Sequence, residues 1–113
     1  MVKIYGIKNC GSVKKALNFL NSKNIPYEFI DFKVVPPTQN LLNNWLKFVS
    51  LETLYNKKGT TYKKLGLKDL ALTESEIKEW LIKEPMLIKR PVIECKEGVI
   101  VGFDENFYQN TQW

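Results

Sequence analysis

The sequence contains no histidine, two cysteines and a single arginine among its 113 residues. Zinc sites built from cysteine and histidine together are therefore absent, and so is the histidine that usually activates a nucleophilic cysteine. Two cysteines are also too few for the disulfide framework of a small secreted domain. A reactive cysteine in this chain would have to be activated by local charge and helix dipoles.

Long apolar runs are missing as well. No run approaches the roughly 20 apolar residues that a membrane-spanning helix needs, and the polar start Met1-Val2-Lys3 lacks the layout of a signal peptide. We therefore expect a cytoplasmic protein that does not bind membranes. With 44% hydrophobic and 26% charged residues, a chain of this length is expected to form one domain, residues 1–113, and a monomer.

The net charge of +5 comes from sixteen lysines and one arginine against twelve acidic residues. The lysines are scattered, and one arginine cannot provide the paired base contacts that DNA-binding proteins favour, so we expect no direct nucleic-acid binding. A solvated surface accounts for most of this charge. Arg90 stands out because a planar guanidinium can grip an oxyanion at two points, although an ordinary surface ion pair is the alternative.

The first third of the chain has the pattern of a strand, a helix and a second strand. Residues 2–6 alternate and end at a glycine, and residues 27–32 are again rich in aromatic and β-branched side chains. Between them, apolar residues from Ser12 onward recur at helical spacing. These are Val13, Ala16, Leu17 and Leu20. The pattern predicts a βαβ unit with two parallel strands.

The rest of the chain predicts an all-helical insertion at about 38–84, followed by a hairpin. Apolar spacing predicts a helix over 41–49, a loop over 56–61 and a helical turn over 62–65. Thr73 and Glu76 form a capping box that marks a helix start. Strands are predicted at 92–95 and 99–102 around a turn at 96–98, and Asp104 can cap a short final helix. The result is an α/β domain with a mixed sheet and flanking helices.

Cys10 follows the first strand and precedes the first turn of the first helix. The free N–H groups and positive dipole end of a helix stabilise a thiolate, and helix N-terminal thiols have pKa values lowered from about 8.5 to roughly 3.5–7.5. Lys8 and Lys14 can add to this field, and Gly11 leaves the backbone open to a close ligand. The alternative is a buried, inert cysteine.

Cys10 has no resolving partner nearby, because Val13 stands where a Cys-x-x-Cys motif has its second cysteine. Cys95 falls within a predicted strand, where a structural role is the simpler interpretation. A disulfide formed by Cys10 would therefore join it to an outside thiol, and glutathione is the obvious candidate in the cytoplasm.

Four segments together carry a resemblance to a known family. They are residues 5–11 (YGIKNCG), 58–65 (KGTTYKKL), 85–91 (PMLIKRP) and 101–103 (VGF). In this order they resemble the arsenate reductase (ArsC) family, in its YffB-like branch, to which the Spx regulators are related. The resemblance implies a thioredoxin-like fold with a four-stranded mixed sheet and a helical insertion between the second and third strands. It also implies a nucleophilic Cys10, an anion-binding Arg90 and a cis peptide bond before Pro91.

The resemblance further implies a glutathione-dependent thiol reductase, with glutathione or a glutaredoxin-like protein as reductant and no metal or nucleotide cofactor. Two positions depart from arsenate reductases: Lys58 stands where arginine is common, and Phe103 stands where a third arginine is expected. A lysine is a point charge without a bidentate grip, so both departures argue against arsenate as substrate. We expect Arg90, Lys58, Lys8 and Gly11 to stabilise the thiolate or an anion. We expect Asn9, Ser12, Lys14 and Pro91 to contact substrate.

Three alternatives remain open. Lys57, Lys58, Lys63 and Lys64 can hold the carboxylates of glutathione, or they can form a solvated helix face. The chain can also be a non-enzymatic regulator that, like Spx proteins, binds the RNA polymerase α-subunit, although Val13 removes the redox switch of those proteins. A true arsenate reductase is the third.

Overall fold

A computed structural model describes all residues, 1–113, and the chain forms two compact units. The first, here called the sheet unit, comprises Met1–Val35 and Arg90–Trp113. The second, the helical unit, comprises Pro36–Lys89, slightly more than the predicted insertion at about 38–84. That the two units form one domain stays a prediction. No helix is long and apolar enough to cross a membrane.

Four strands and six α-helices make up the chain. In order they are β1 (Val2–Gly6), α1 (Gly11–Ser22), β2 (Tyr27–Asp31), α2 (Gln39–Trp45), α3 (Leu51–Leu54), α4 (Thr60–Lys64), α5 (Glu74–Lys83), β3 (Val92–Cys95), β4 (Gly98–Val101) and α6 (Glu105–Gln109). Short 3₁₀ helices occupy Leu67–Asp69 and Pro85–Leu87.

The sheet has the strand order β2-β1-β3-β4 and is mixed, as the sequence predicts. β1 runs parallel to β2 and antiparallel to β3, and β3 and β4 form the predicted antiparallel hairpin. Cys95 pairs with Gly98, so the hairpin turn is one residue shorter than the predicted 96–98. Gly98 has a φ of 112°, a conformation that side chains other than glycine rarely adopt.

The core of the sheet unit joins the sheet to α1 and α6. Its buried residues are Val2, Ile4, Ala16, Phe19, Leu20, Ile93, Ile100 and Tyr108. The predicted inner face of the first helix is confirmed, since Val13, Ala16 and Leu20 are fully buried and Leu17 packs against the core. Each buried aliphatic side chain contributes on the order of 1.5–3 kcal/mol.

Gly6, the last residue of β1, makes a close contact with α1 that leaves no room for a side chain. A Cβ at this position would lie 2.7 Å from Cγ2 of Val13. We expect Gly6→Ala to lower the free energy of unfolding by about 1–3 kcal/mol, because overpacking forces the helix or its rotamers to shift. Urea unfolding followed by circular dichroism measures this change.

The matched control for this contact is a double-mutant cycle with Val13→Ala. Alone, Val13→Ala is expected to destabilise the fold by about 2 kcal/mol, because it opens a cavity at a fully buried site. Combined with Gly6→Ala, the loss should be smaller than the sum, since the new methyl group fills that space. If the two losses in free energy simply added, overpacking against Val13 would not be the cause of the Gly6→Ala effect.

The helix predicted over 41–49 is wrong in its second half, because α2 ends at Trp45. Leu42 and Trp45 are fully buried, but Phe48 is 62% exposed. Ser50 adopts an extended conformation and accepts a hydrogen bond from the Thr53 N–H at 3.1 Å, which starts α3 as a separate helix. The capping serine thus divides an apolar pattern that reads as one helix.

The capping box at the start of α5 is confirmed. The Thr73 hydroxyl accepts from the Glu76 N–H at 3.2 Å, and the Glu76 carboxylate accepts from the Thr73 N–H at 3.0 Å. The predicted helical turn over 62–65 corresponds to α4, which starts at Thr60, inside the predicted loop. Gly59 is its N-cap.

Candidate functional site

Cys10 is the N-cap residue of α1. The helix begins at Gly11, one residue before the predicted start at Ser12, so Cys10 directly adjoins it. Its backbone is extended, with φ −137° and ψ 125°, and its carbonyl accepts the Lys14 N–H at 2.9 Å. Cysteine is not among the residues that helices favour at this position. Thr38, Ser50, Thr73 and Asp104 cap their helices with side-chain oxygens. At the start of α1 the N–H groups of Val13 and Ser12 face a sulfur instead, which is a weaker acceptor than an oxygen. Helix stability therefore does not account for the choice of cysteine here.

The surroundings of the Cys10 sulfur favour its ionised form. Partial burial by itself would raise the pKa of the thiol, but three groups outweigh that effect. They are the Val13 N–H, the Arg90 guanidinium through hydrogen bonding and charge, and the Ser12 N–H. The pKa of Cys10 consequently lies below its ordinary value. The thiol is also partly exposed and so open to a reactant.

Strand pairing explains how Arg90 reaches Cys10 across 80 positions of sequence. β3 is antiparallel to β1, and Tyr5 pairs with Val92, so the residues just before β3 lie at the carboxyl end of β1. The N-terminus of α1 follows that same end. The Arg90–Pro91 peptide bond is cis, as the resemblance implies. Arg90 and Cys10 are thus brought together within the sheet unit.

The other candidates around Cys10 are exposed residues of the loop and first helical turn. They are Lys8, Asn9, Gly11, Ser12 and Lys14. Neither lysine ammonium is among the groups that shift the Cys10 pKa, so their electrostatic role stays a prediction. A Cβ at Gly11 would meet nothing within 4 Å, which agrees with open space beside the thiol. Pro91, which follows Arg90 in the chain, is buried.

Lys58 belongs to the helical unit, in the turn that leads into α4. Its backbone N–H donates to the Asn56 side-chain oxygen at 3.2 Å, and its side chain is exposed. Lys57 places its ammonium 5.7 Å from the ring centre of Tyr55. A contribution of Lys58 to the chemistry of Cys10 stays a prediction.

Cys95 ends β3 at the opposite end of the sheet from Cys10. Glu94 pairs with Lys3 near the start of β1, and the length of β1 spans about 13 Å at about 3.3 Å per residue. A disulfide needs Cα atoms within about 7 Å, so the two cysteines are too far apart to join. Burial raises the pKa of the Cys95 thiol, and the charge of Glu97 raises it further. Together they outweigh the N–H groups of Glu97 and Gly98, which lower it.

Phe103, which stands where the resemblance predicts an arginine, packs into an aromatic cluster. Its ring lies edge-on to Tyr108, with centroids 4.9 Å apart. The sequence places Val13 on the apolar face of the first helix and at the position of the absent second cysteine, but its backbone N–H was not predicted as a donor to the Cys10 sulfur. The sequence does contain a signal for this donor, because the third residue of a helix offers a free N–H to its N-cap.

No group of three or more acidic or cysteine side chains is placed to hold a metal ion.

This is a thioredoxin-like protein with a cysteine at the N-terminus of its first helix. Three features define the class: the β1-α1-β2 unit, the antiparallel hairpin, and a thiol that faces a segment with a cis proline. A model of the ArsC family matches residues 5–111. The chain belongs to the ArsC family.

Two relatives match almost the full length of the chain. An uncharacterized protein of Haemophilus influenzae is 36% identical over 111 residues, which cover 96% of either sequence. The solved structure of a protein named YffB has a TM-score of 0.89 at 34% identity and also covers 96% of both chains.

Relatives with a named role are more distant. An arsenate reductase of Escherichia coli is 24% identical and covers 86% of this chain and 70% of its own length. The global transcriptional regulator Spx 1 of Lactococcus lactis is 26% identical, with coverage of 94% and 84%. The relatives of this chain therefore include both an enzyme and a regulator.

Proposed function

We propose that the protein is a thiol-dependent reductase that uses Cys10 as its only nucleophile and glutathione as its reductant. The observation that carries the proposal is the position of Cys10 at the start of α1, where the Val13 N–H and the Arg90 guanidinium favour the thiolate. A lowered pKa in a partly exposed thiol is the property that catalytic cysteines share.

The proposed reaction is thiol–disulfide exchange in two steps. The Cys10 thiolate attacks one sulfur of a glutathione-containing disulfide, so that a new S–S bond forms and the other sulfur leaves as a thiolate. A second thiolate, from glutathione or a glutaredoxin-like protein, then attacks the mixed disulfide and releases Cys10. An external thiol is required because Cys95 lies at the far end of the sheet and Val13 replaces a local second cysteine.

Arsenate is the less favoured substrate for this site. An oxyanion clamp needs several fork-shaped donors, and the chain has one arginine. The position of the expected third arginine holds Phe103, whose ring packs on Tyr108. A disulfide sulfur needs no such clamp, since its leaving group carries a single negative charge.

The first test measures the pH dependence of Cys10 alkylation by iodoacetamide in a Cys95→Ser background. We expect a midpoint clearly below the roughly 8.5 of a free cysteine. After exposure to oxidised glutathione, mass spectrometry should show one glutathione adduct on Cys10. The same protein unfolded in urea is the control, and its thiol should return to an ordinary midpoint.

An ordinary midpoint with no glutathione adduct would contradict the proposal. That outcome would favour the second candidate, a non-enzymatic regulator that binds the RNA polymerase α-subunit. The similarity to Spx 1 over 94% of this chain supports this alternative, and co-purification with RNA polymerase would test it.

A further inference from the structure

Tyr108 is a buried tyrosine on α6 whose hydroxyl donates a hydrogen bond to the Gly102 carbonyl. Its side chain is 1% exposed, and its ring makes edge contacts with Phe19, Phe103 and Trp113. A phenylalanine would serve this packing without burying a polar group, which is unfavourable unless the group is hydrogen-bonded. What the hydroxyl adds is therefore its bond to Gly102.

Gly102 connects this bond to the segment that carries Arg90. Its N–H donates to the Pro91 carbonyl at 2.8 Å, which extends the β3–β4 pairing one step beyond Val92 and Val101. Proline has no N–H, so the carbonyl is the only backbone group through which Pro91 can join a strand ladder. Gly102 adopts a φ of 83°, so the chain turns away at this point and directs its own carbonyl to Tyr108.

The segment from Gly102 to Tyr108 is closed by short-range bonds. Asp104 caps α6 by accepting the Phe107 N–H at 3.1 Å on its side chain and the Tyr108 N–H at 2.9 Å on its backbone carbonyl. These bonds fix the backbone of α6 at Tyr108. The Tyr108 hydroxyl then connects the ring back to the Gly102 carbonyl. A continuous series of hydrogen bonds thus runs from α6 to the residue next to Arg90.

We propose that Tyr108 is a positioning residue that holds Arg90 against the Cys10 sulfur by way of Gly102 and Pro91. This inference rests on the proposed function of Cys10. The physical reason is that the attraction between a guanidinium and a thiolate falls with distance and its hydrogen bond also needs direction, so a small displacement of the Arg90 backbone weakens both.

Tyr108→Phe tests the proposal because it removes the hydroxyl and keeps the ring. We expect the midpoint of Cys10 alkylation to move upward, toward that of Arg90→Gln. At a pH at least one unit below both midpoints, a midpoint higher by half a pH unit lowers the thiolate fraction about three-fold, since one pH unit there changes that fraction about tenfold. In the double variant, Tyr108→Phe should add nothing to Arg90→Gln, because both act through the same guanidinium.

Tyr5→Phe is the matched control. It also removes a hydroxyl from a buried tyrosine of the sheet unit, but that hydroxyl donates to the Glu94 carboxylate at 3.3 Å rather than to Gly102. We expect no change in the alkylation midpoint. The NMR signal of the Arg90 Nε–H, recorded in parallel, should move in Tyr108→Phe and stay in place in Tyr5→Phe.

A second pair of variants keeps the test decisive if Tyr108→Phe does not fold. Asp104→Ala removes the α6 cap, whereas Asp104→Asn keeps it and removes the same charge. The midpoint should be higher in Asp104→Ala than in Asp104→Asn.

A folded Tyr108→Phe whose alkylation midpoint and Arg90 signal match wild type would overturn the inference and leave the hydroxyl a purely structural role. The proposed function would survive that result, since it depends on the low midpoint of the wild-type protein. An ordinary wild-type midpoint would instead overturn both.

Discussion

Cys10→Ser is expected to abolish the mixed disulfide with glutathione and any reductase activity that depends on it. A serine hydroxyl is not ionised at neutral pH and cannot form a disulfide, so no residual adduct should remain. The fold should not suffer, because serine is a preferred N-cap residue and can accept a hydrogen bond from the first turn of α1. Its free energy of unfolding should stay level or rise by up to about 1 kcal/mol.

Cys95→Ser is the control for this experiment, since it removes the other thiol at the far end of the sheet. It should leave adduct formation largely intact, as expected for a residue whose pKa is raised by burial. The readouts are mass spectrometry after exposure to oxidised glutathione and the rate of glutathione release from a mixed-disulfide substrate. Equal losses in both variants would rule out a mechanism with one cysteine.

The sheet unit could be predicted from sequence because its signals are local and agree with one another. The alternation in β1 and the helical spacing in α1 predict a βαβ unit, and the structure has the expected parallel pairing. The pattern from Val92 to Val101 predicts the hairpin in the same way, and only its turn is one residue shorter than expected. Each of these segments buries one face, so the spacing of its apolar residues indicates whether it is a strand or a helix.

The helical unit was harder to predict before α5, because α2, α3 and α4 are short. Apolar spacing continues from Leu41 to Val49, yet the chain leaves α2 at Trp45 and starts again at Ser50. The spacing of apolar residues does not show where α2 ends, because Phe48 is apolar and yet exposed. The capping serine was the only local signal, and serine occurs in too many contexts to be decisive alone.

The candidate site combines local and long-range information. The position of Cys10 at a helix start follows from the neighbouring sequence, but its contact with Arg90 depends on which strand pairs with β1. The sequence also places Lys8 and Lys14 near the thiol, yet neither is among the groups that shift its pKa. The charge of an exposed lysine is solvated and screened, so its effect on a neighbouring thiol depends on distances that the sequence does not give, and the roles of Lys8 and Lys14 stay predictions.

Arg90→Gln is expected to raise the pKa of Cys10 and so to lower its thiolate fraction, by about tenfold for every pH unit that the midpoint rises when alkylation is measured at a pH well below both midpoints. Only part of the lowering should disappear, because the Val13 and Ser12 N–H groups continue to face the sulfur. Arg90→Lys should fall between the two proteins, since it keeps the charge and loses the planar fork. Alkylation rates measured from pH 5 to 10 in a Cys95→Ser background give all three midpoints.

The control for net charge is Lys15→Gln, which removes one positive charge from an exposed position of α1. It should leave the midpoint unchanged, because the Lys15 ammonium is not among the groups that act on Cys10. Raising the salt concentration separates the causes further: screening should weaken the charge effect of Arg90, while the backbone N–H bonds are little affected. If Lys15→Gln raised the midpoint as much as Arg90→Gln, the overall positive charge would account for the thiolate. The specific contact with Arg90 would then lose its role.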